Sequence, residues 1–182
     1  MKINYSKKLL VAFAVVNFIL VGVLYYWFIF QRYNAEEMDL RCNTKILESN
    51  LIGQLLPKYE FVNSEGTDIY QGLTQGKVLI VVFLTNCQAC LSEFDFLERH
   101  YSEISSEIKI AAITAESSGV VEQFVDARKL SFPTYLDVRG GLMLKTRVAC
   151  TPTMLFLENG IVRKVKVGKI NNYKDLMEGF KL

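Results

Sequence analysis

The sequence is poor in histidine, and this shortage limits the kinds of site that it can form. His100 is the single histidine among 182 residues, and the four cysteines include one close pair, Cys87 and Cys90. A structural zinc site needs four ligands, usually as two pairs of Cys or His, and no second pair is present. We therefore expect no metal and no other cofactor. We interpret His100 as a helix-surface residue, since neither a base nor a ligand role has a visible partner.

The sequence also lacks an excess of charge of one sign, repeats and low-complexity segments. Its 21 basic and 19 acidic residues leave a formal net charge of +2. Four of the basic residues and none of the acidic ones lie in residues 1–34, which leaves a slightly acidic remainder. We therefore expect neither a nucleic acid nor a polybasic contact with a membrane surface. The length permits one domain of ordinary size and a short appendage.

The appendage is a long uncharged segment near the N-terminus. Residues 9–30 contain no charged side chain, and as a helix they would be about 33 Å long, enough to cross a hydrocarbon core of about 30 Å. Three lysines precede the segment and Arg32 follows it. The positive-inside rule then places the N-terminus in the cytoplasm and the rest of the chain outside.

The end of the apolar segment distinguishes an anchor from a cleaved signal peptide. A signal peptide has a shorter apolar region and a small-x-small cleavage site, whereas this segment ends in bulky aromatic residues that suit the membrane interface. A buried core helix is the other alternative. We predict a cytoplasmic N-terminus at 1–8, a transmembrane signal anchor at 9–30, a juxtamembrane linker at 31–56 and a globular domain at 57–182. The protein would be a single-pass membrane protein with its domain on the extracytoplasmic side.

Two cysteines stand three residues apart, where an apolar strand gives way to a helix. Cys87 and Cys90 follow the apolar residues 78–83, which places Cys87 at the first turn of the helix. Unpaired backbone N–H groups and the positive end of the helix dipole favour a thiolate there. Cys90 lies one turn further on the same face and can attack a mixed disulfide formed at Cys87. The spacing predicts a dithiol redox site in which Cys87 attacks and Cys90 resolves.

After Pro57 the sequence alternates between strand-like and helix-like segments. The predicted strands are a short hairpin at 59–62 and 67–70, buried strands at 78–83 and 108–114, a short strand at 134–136 and a closing hairpin at 154–157 and 161–167. The predicted helices cover residues 35–47, 90–104, 119–130, 141–146 and 171–182. Strand-helix-strand crossovers followed by an antiparallel hairpin and a last helix indicate a three-layer α/β/α domain.

These segments resemble the thioredoxin fold. The strand ending in Cys-x-x-Cys, the Val-Ala-Cys-Thr-Pro-Thr segment at 148–153 and the Met-Leu-Phe-Leu-Glu-Asn-Gly hairpin at 154–160 are similar to that family. The hairpin before Gly76 and the segment at 131–137 resemble its membrane-anchored TlpA/ResA-type branch. The resemblance covers residues 53–180 in matching order. It implies a thioredoxin-like domain with a mixed sheet and an extracytoplasmic thiol-disulfide oxidoreductase with Cys87 as nucleophile and Cys90 as resolving thiol.

The resemblance also implies how the enzyme meets its partners. A cis peptide between Thr151 and Pro152 would face the dithiol and leave the Thr151 backbone free to pair with a substrate chain. Thr151 and Pro152 are therefore expected to bind substrate. Members of the branch usually reduce a few client proteins that carry cysteines or disulfides. A membrane electron carrier supplies these enzymes with electrons. We expect the same kinds of partner here.

The sequence departs from the family pattern around the dithiol. Asn86 stands where Trp is usual, Ala89 where Pro is common, and Val81 where thioredoxins carry a buried Asp. Glu93, three residues after Cys90, matches an acid found in the TlpA/ResA branch and could take the proton of the resolving thiol. A solvated glutamate on the helix surface is an equal alternative.

The two remaining cysteines are isolated in sequence. Cys150 adjoins the expected cis-proline loop, and it could be a packed apolar residue, a third redox thiol or a partner for Cys42. We favour the packed residue, because free cysteine often packs as a small hydrophobe. Cys42 could also join two chains.

Two other functions compete with the oxidoreductase. A thioredoxin-fold carrier could deliver copper or another metal through two cysteines and a distal histidine, but this cysteine spacing is shorter and no histidine lies near Pro152. A thiol peroxidase of the peroxiredoxin type would place its cysteine in a Pro-x-x-x-Thr/Ser-x-x-Cys setting, which the chain lacks.

Overall fold

The structure is a computed structural model that describes residues 7–58, 61–62, 70–170 and 172–180, without the side chains of 7–11 and 33–41. It divides into two compact units, Met1–Leu40 and Arg41–Leu182. The described residues of the first unit all belong to helix α1 (Lys7–Arg41), whose last residue is the first of the second unit. Within it, Ala12–Arg32 has a mean hydropathy of 2.2 and no part buried in the protein. Among the described residues this is the one helix long and apolar enough to cross a membrane, as the uncharged segment predicts.

The second unit contains the other helices and strands. They are, in chain order, α2 (Thr44–Leu51), β1 (Phe61–Val62), α3 (Tyr70–Leu73), β2 (Lys77–Val82), α4 (Gln88–Arg99), α5 (Tyr101–Ile104), β3 (Lys109–Thr114), α6 (Ser118–Arg128), β4 (Thr134–Asp137), α7 (Gly141–Thr146), β5 (Thr153–Glu158), β6 (Ile161–Val167) and α8 (Tyr173–Glu178).

The six strands form one mixed sheet in the order β1-β4-β3-β2-β5-β6. Strands β2, β3 and β4 run parallel, with Ile80 opposite Ala111, while β5 lies antiparallel to β2, with Leu155 opposite Ile80. Strand β6 returns along β5, and β1 closes the other edge against β4. The β5–β6 turn uses Asn159 at φ 50° and Gly160 at φ 77°, the left-handed conformation that two-residue hairpins require.

The sheet is buried on both faces, so the domain has three layers. Strand β2 shows this directly, because Val78 and Ile80 belong to the core on one face and Leu79 and Val81 to the core on the other. Helices α2, α3 and α7 contribute to the first core, and α4, α5 and α8 to the second. A continuous apolar strand is expected where both faces are covered. The predicted thioredoxin-like α/β/α architecture with a mixed sheet is confirmed.

A cluster of aromatic rings packs against the helix that carries the dithiol. The Phe94 ring lies 4.8 Å from that of Phe83 and 5.4 Å from that of Phe132, between centroids, and Phe124 lies 5.6 Å from Phe83. Rings at these separations and tilts add to the energy of burial. The cluster fixes the first turns of α4 against the end of β2.

The structure differs from the sequence prediction in four places. The helix predicted over residues 35–47 is interrupted at residues 42–43, between α1 and α2. The helix predicted over residues 90–104 is broken at His100, whose φ of −108° and ψ of 9° are not helical. Of the hairpin predicted at 59–62 and 67–70, residues 61–62 pair with β4 and Tyr70 begins helix α3, so the prediction of a strand at Tyr70 is wrong. The other residues of this hairpin lie outside the described residues. Helix α2, within the predicted linker at 31–56, buries Leu47 and Leu51 in the core, so the compact unit begins at Arg41.

Candidate functional site

The site forms where β2 ends and α4 begins. The amide of Phe83 still donates to the carbonyl of Ile113 on β3 (3.0 Å), so the chain stays on the sheet until one residue past β2. It then turns, and Cys87 takes the N-cap position of α4 with an extended backbone. The Cys90 amide donates to the Cys87 Sγ over 3.2 Å. The cysteine sulfur thus fills the place that a Ser or Asp oxygen occupies in an ordinary N-cap.

The two cysteines differ in their access to solvent. They form a disulfide with a Cα–Cα distance of 5.2 Å, so the structure represents the oxidised state of this pair. Cys90 is fully buried, whereas Cys87 is only half-buried. An attacking thiol must be reached by its target, and a thiolate at a helix N-terminus is stabilised by the N–H groups that face it. The geometry therefore favours Cys87 over Cys90 as the sulfur that meets a partner.

The loop before β5 faces this sulfur. The peptide between Thr151 and Pro152 is cis, as predicted. The Thr151 carbonyl oxygen lies 3.5 Å from the Cys87 Sγ. Pro152 is buried, and its carbonyl accepts from the amide of Gly168 (2.8 Å). The residues predicted to bind substrate are therefore adjacent to the dithiol.

Glu93 lies in the protein interior, which excludes the alternative of a solvated surface residue. It is 0% exposed, and its Oε2 accepts a hydrogen bond from the Ile170 amide (2.7 Å). Its Oε1 has no hydrogen-bond partner among the described residues. Burial raises the pKa of Glu93 to about 7, although the Ile170 amide and the charges of Lys166 and Lys169 act in the opposite direction. A carboxyl group with this pKa can accept or release a proton near neutral pH.

A second carboxylate near the dithiol was missed in the sequence analysis. Both oxygens of Glu116 hold Thr85, since Oε2 accepts from the Thr85 amide (2.7 Å) and Oε1 from the Thr85 hydroxyl (3.0 Å). Thr85 stands two residues before Cys87, so Glu116 fixes the turn that leads to Cys87. A signal was available in the sequence. Glu116 follows β3 as Cys87 follows β2, and neighbouring parallel strands end at the same edge of a sheet.

The isolated cysteines are joined. Cys42 and Cys150 form a disulfide with a Cα–Cα distance of 5.5 Å across 108 residues of sequence. The preferred interpretation of Cys150 as a packed free thiol is therefore wrong. Cys42 does not join a second chain here. The sequence analysis named this pairing only as one alternative, because spacing along the chain does not reveal which distant cysteines meet.

Comparison with known proteins identifies the family. The AhpC/TSA family matches residues 52–165, more than half of the chain. The chain belongs to the AhpC/TSA family. The match includes β1 to β5 together with the dithiol and the cis-proline loop, so this family membership covers the candidate site.

Two relatives of the chain carry names that agree with this site. The chain is 31% identical over 110 residues to sporulation thiol-disulfide oxidoreductase A of Bacillus subtilis, which covers 57% of this chain and 67% of the relative. It is 27% identical over 110 residues to thiol-disulfide oxidoreductase ResA of Oceanobacillus iheyensis, covering 58% of this chain and 56% of that relative. The second alignment thus spans little more than half of the curated relative.

The structural comparison gives the same result. The crystal structure of StoA from Bacillus subtilis superposes with a TM-score of 0.56 at 27% identity, covering 66% of this chain and 94% of that one. The predicted resemblance to the TlpA/ResA branch of the thioredoxin fold is therefore confirmed. The protein is a thiol-disulfide oxidoreductase of the AhpC/TSA family.

Proposed function

We propose that this protein is a single-pass, membrane-anchored enzyme that reduces disulfides in client proteins outside the cytoplasm. Cys87 is the nucleophile and Cys90 the resolving thiol. The observation that carries the proposal is the contrast between the two sulfurs: Cys87 is half-exposed and accepts a hydrogen bond at the start of α4, whereas Cys90 is buried one turn away. The relatives support the reaction class, since two of them are named thiol-disulfide oxidoreductases.

The reaction consists of two exchanges. The Cys87 thiolate attacks one sulfur of a client disulfide, forms a mixed disulfide and expels the other client sulfur as a thiolate. Cys90 then loses its proton and attacks the Cys87 sulfur, which releases the second client thiolate and leaves the Cys87–Cys90 disulfide seen in the structure. Two electrons pass to the client. A membrane electron carrier of the dithiol class would return them to the enzyme.

Glu93 is proposed to accept the proton of Cys90. It lies three residues after Cys90 on α4, so the two side chains project from the same face one turn apart. Both are fully buried, and water is therefore a poor alternative base. Burial holds the pKa of Glu93 at about 7, close to the value at which a general base works best in neutral solution.

The cis-proline loop is proposed to bind the client backbone. Thr151 is half-buried and its carbonyl faces the nucleophile. An extended client segment could pair with the Thr151 backbone as an added strand, which would bring its disulfide to Cys87. Pro152 is buried in the domain, and it holds the neighbouring Thr151 backbone in place.

The membrane location is proposed from the apolar helix and from the chemistry of the cysteines. The helix window Ala12–Arg32 is long enough for a single span, and the lysines before it favour a cytoplasmic N-terminus. The Cys42–Cys150 disulfide, which takes no part in the exchange reaction, is characteristic of compartments outside the reducing cytosol.

Alkylation at mildly acidic pH tests the assignment of the nucleophile. After reduction of the full chain in detergent micelles, limiting iodoacetamide should label Cys87 before any other thiol, because it combines exposure with a helix N-terminus. The labelled fraction should match the lost fraction of activity towards a disulfide-bonded peptide. Peptide mapping by mass spectrometry identifies the labelled residue. If Cys90 or Cys150 is labelled first, the assignment is wrong.

Replacing Glu93 with glutamine tests its proposed role as a base. Glu93→Gln should slow the release of client by about tenfold at pH 7 to 8, where the Glu93 carboxylate is available to accept the proton, and by less at pH 6, where most of this group is already protonated because its pKa is about 7. Stopped-flow mixing of the reduced enzyme with a saturating concentration of a disulfide-bonded peptide measures this step as the phase in which peptide thiol is released. Glu98→Gln on the same helix is the matched control, since Glu98 contacts Ser131 and not the dithiol. A Glu93→Gln rate equal to wild type throughout this pH range would remove Glu93 from the mechanism.

A further inference from the structure

The Cys42–Cys150 disulfide joins the start of the compact unit to the cis-proline loop. Cys150 immediately precedes Thr151, whose carbonyl oxygen lies 3.5 Å from the Cys87 Sγ. The bond therefore constrains the residue next to the proposed client-binding position. It plays no part in the exchange reaction described above.

The Cys42 end of the bond rests on a well-packed element. Asn43 caps helix α2, with its Oδ1 accepting from the amide of Lys45 (3.0 Å). The helix packs on β6 and α7 and buries Leu47 and Leu51. Hydrogen bonds between residues 53–54 and Val162 then tie the chain to β6 directly after α2. The contacts with β6 and α7 hold α2 in place. They thereby fix the position of Cys42, which lies two residues before the helix.

The Cys150 end of the bond lies in irregular backbone. Residues 147–152 connect α7 to β5 without regular secondary structure. Val148 and Pro152 are buried at either end of this segment, and the Thr153 hydroxyl donates to the Cys150 carbonyl (2.6 Å). Between these ends the Cys150 and Thr151 side chains are half-exposed. A covalent link at Cys150 restricts the part of the loop that secondary structure does not.

We propose that the Cys42–Cys150 disulfide is a positioning element for client binding. It holds the Thr151 backbone at the right distance from the Cys87 sulfur for a client to reach both. The inference rests on the proposed function, in which an extended client segment pairs with Thr151. A shift of about 1 Å in a positioning group is enough to slow a reaction substantially. A small dithiol needs no backbone pairing, so its exchange with Cys87 does not depend on the loop in the same way.

The experiment compares two reductants on the same oxidised protein. The full chain in detergent micelles is mixed either with a reduced peptide that carries two cysteines or with dithiothreitol. Acid quenching, alkylation and peptide mapping follow the loss of the Cys87–Cys90 disulfide and show whether Cys42–Cys150 stays intact. The readout is the ratio of the two second-order rate constants. Any unfolded fraction affects both reductants, so the ratio reports positioning.

The Cys42→Ser/Cys150→Ser variant should lower the peptide-to-dithiothreitol ratio by about tenfold, through a higher KM for the peptide. Leu73→Ala serves as a control for stability, since Leu73 is buried in α3, before β2 and away from the dithiol end of that strand. Its ratio should remain that of the wild type. Amide hydrogen exchange of residues 148–151 in the double variant should also become faster than in wild type.

An unchanged ratio in the double variant would overturn the proposal and leave the bond as a structural crosslink alone. A lowered ratio in Leu73→Ala as well would also overturn it, because loss of stability would then explain both results. The proposed function fails in a different way. In that case the wild type itself would exchange with dithiothreitol but not with the peptide.

Discussion

Replacing Cys90 with serine should convert short-lived client complexes into stable mixed disulfides through Cys87. The first exchange requires only Cys87, which is half-exposed and stabilised as a thiolate at the start of α4. The second exchange requires Cys90, whose attack is intramolecular. Intramolecular reactions have very high effective molarities, so we expect the lifetime of the complex to rise by on the order of 10³-fold or more. Non-reducing electrophoresis of membranes from cells that express Cys90→Ser, followed by mass spectrometry of the adducts, measures the accumulation of these mixed disulfides directly.

The matched control is Cys87→Ser/Cys90→Ser, which should form none of these adducts. Cys42 and Cys150 are retained in both variants, so any adduct formed through them would appear equally in each. The absence of adducts in Cys90→Ser, with Cys87 present, reduced and reactive towards iodoacetamide, would contradict the proposed function. It would favour the metal-delivery alternative, in which the cysteines bind an ion and do not exchange with clients.

The stability of the folded domain should fall as the pH rises from about 4.5 to about 7, and Glu93 should be the cause of much of this fall. Burial raises the pKa of Glu93 from 4.5 to about 7. Below pH 4.5 the group is protonated in both the folded and unfolded states, and it has no unfavourable effect. Above that pH the unfolded chain ionises first, so unfolding becomes progressively easier. The loss is complete above pH 7, at about 3 kcal/mol.

Glu93→Gln should remove this dependence, because glutamine does not titrate. The amide is also close in shape to the carboxyl group, and its oxygen can still accept from the Ile170 amide. Urea unfolding of the oxidised full chain, followed by circular dichroism in detergent micelles, gives the free energy of unfolding at pH 4, 5.5, 7 and 8. The difference between variant and wild type should increase by about 3 kcal/mol in favour of the variant. If that difference stays constant with pH, Glu93 does not have a raised pKa.

The dithiol and the strands and helix that carry it were accessible from local sequence. The apolar residues of β2 require cover on both faces, and the Cys-x-x-Cys spacing on the following helix sets the distance between the sulfurs. The Asn159–Gly160 pair predicts the turn between β5 and β6 by its backbone preferences. Each of these features depends on residues within about one turn or one strand, where propensity and periodicity are strongest.

Other features depended on contacts between distant parts of the chain. The environment of Glu93 is an example, because a helix places the side chain one turn after Cys90 whether that face meets solvent or protein. The amide of Ile170, 77 residues further along the chain, donates the hydrogen bond, and this segment shields the carboxyl group from solvent. Glu116 similarly reaches Thr85 only because β2 and β3 lie side by side.

The sequence by itself determined the groups on which the chemistry of this protein depends: a cysteine at a helix start, a second cysteine one turn on, and an apolar helix long enough for a membrane. Tertiary structure alone decided how that chemistry is supported. Burial of Glu93 sets its pKa, and the meeting of Cys42 with Cys150 closes a loop of 108 residues. Local preferences act over a few residues, whereas desolvation and long-range pairing depend on which elements pack together when the whole domain folds.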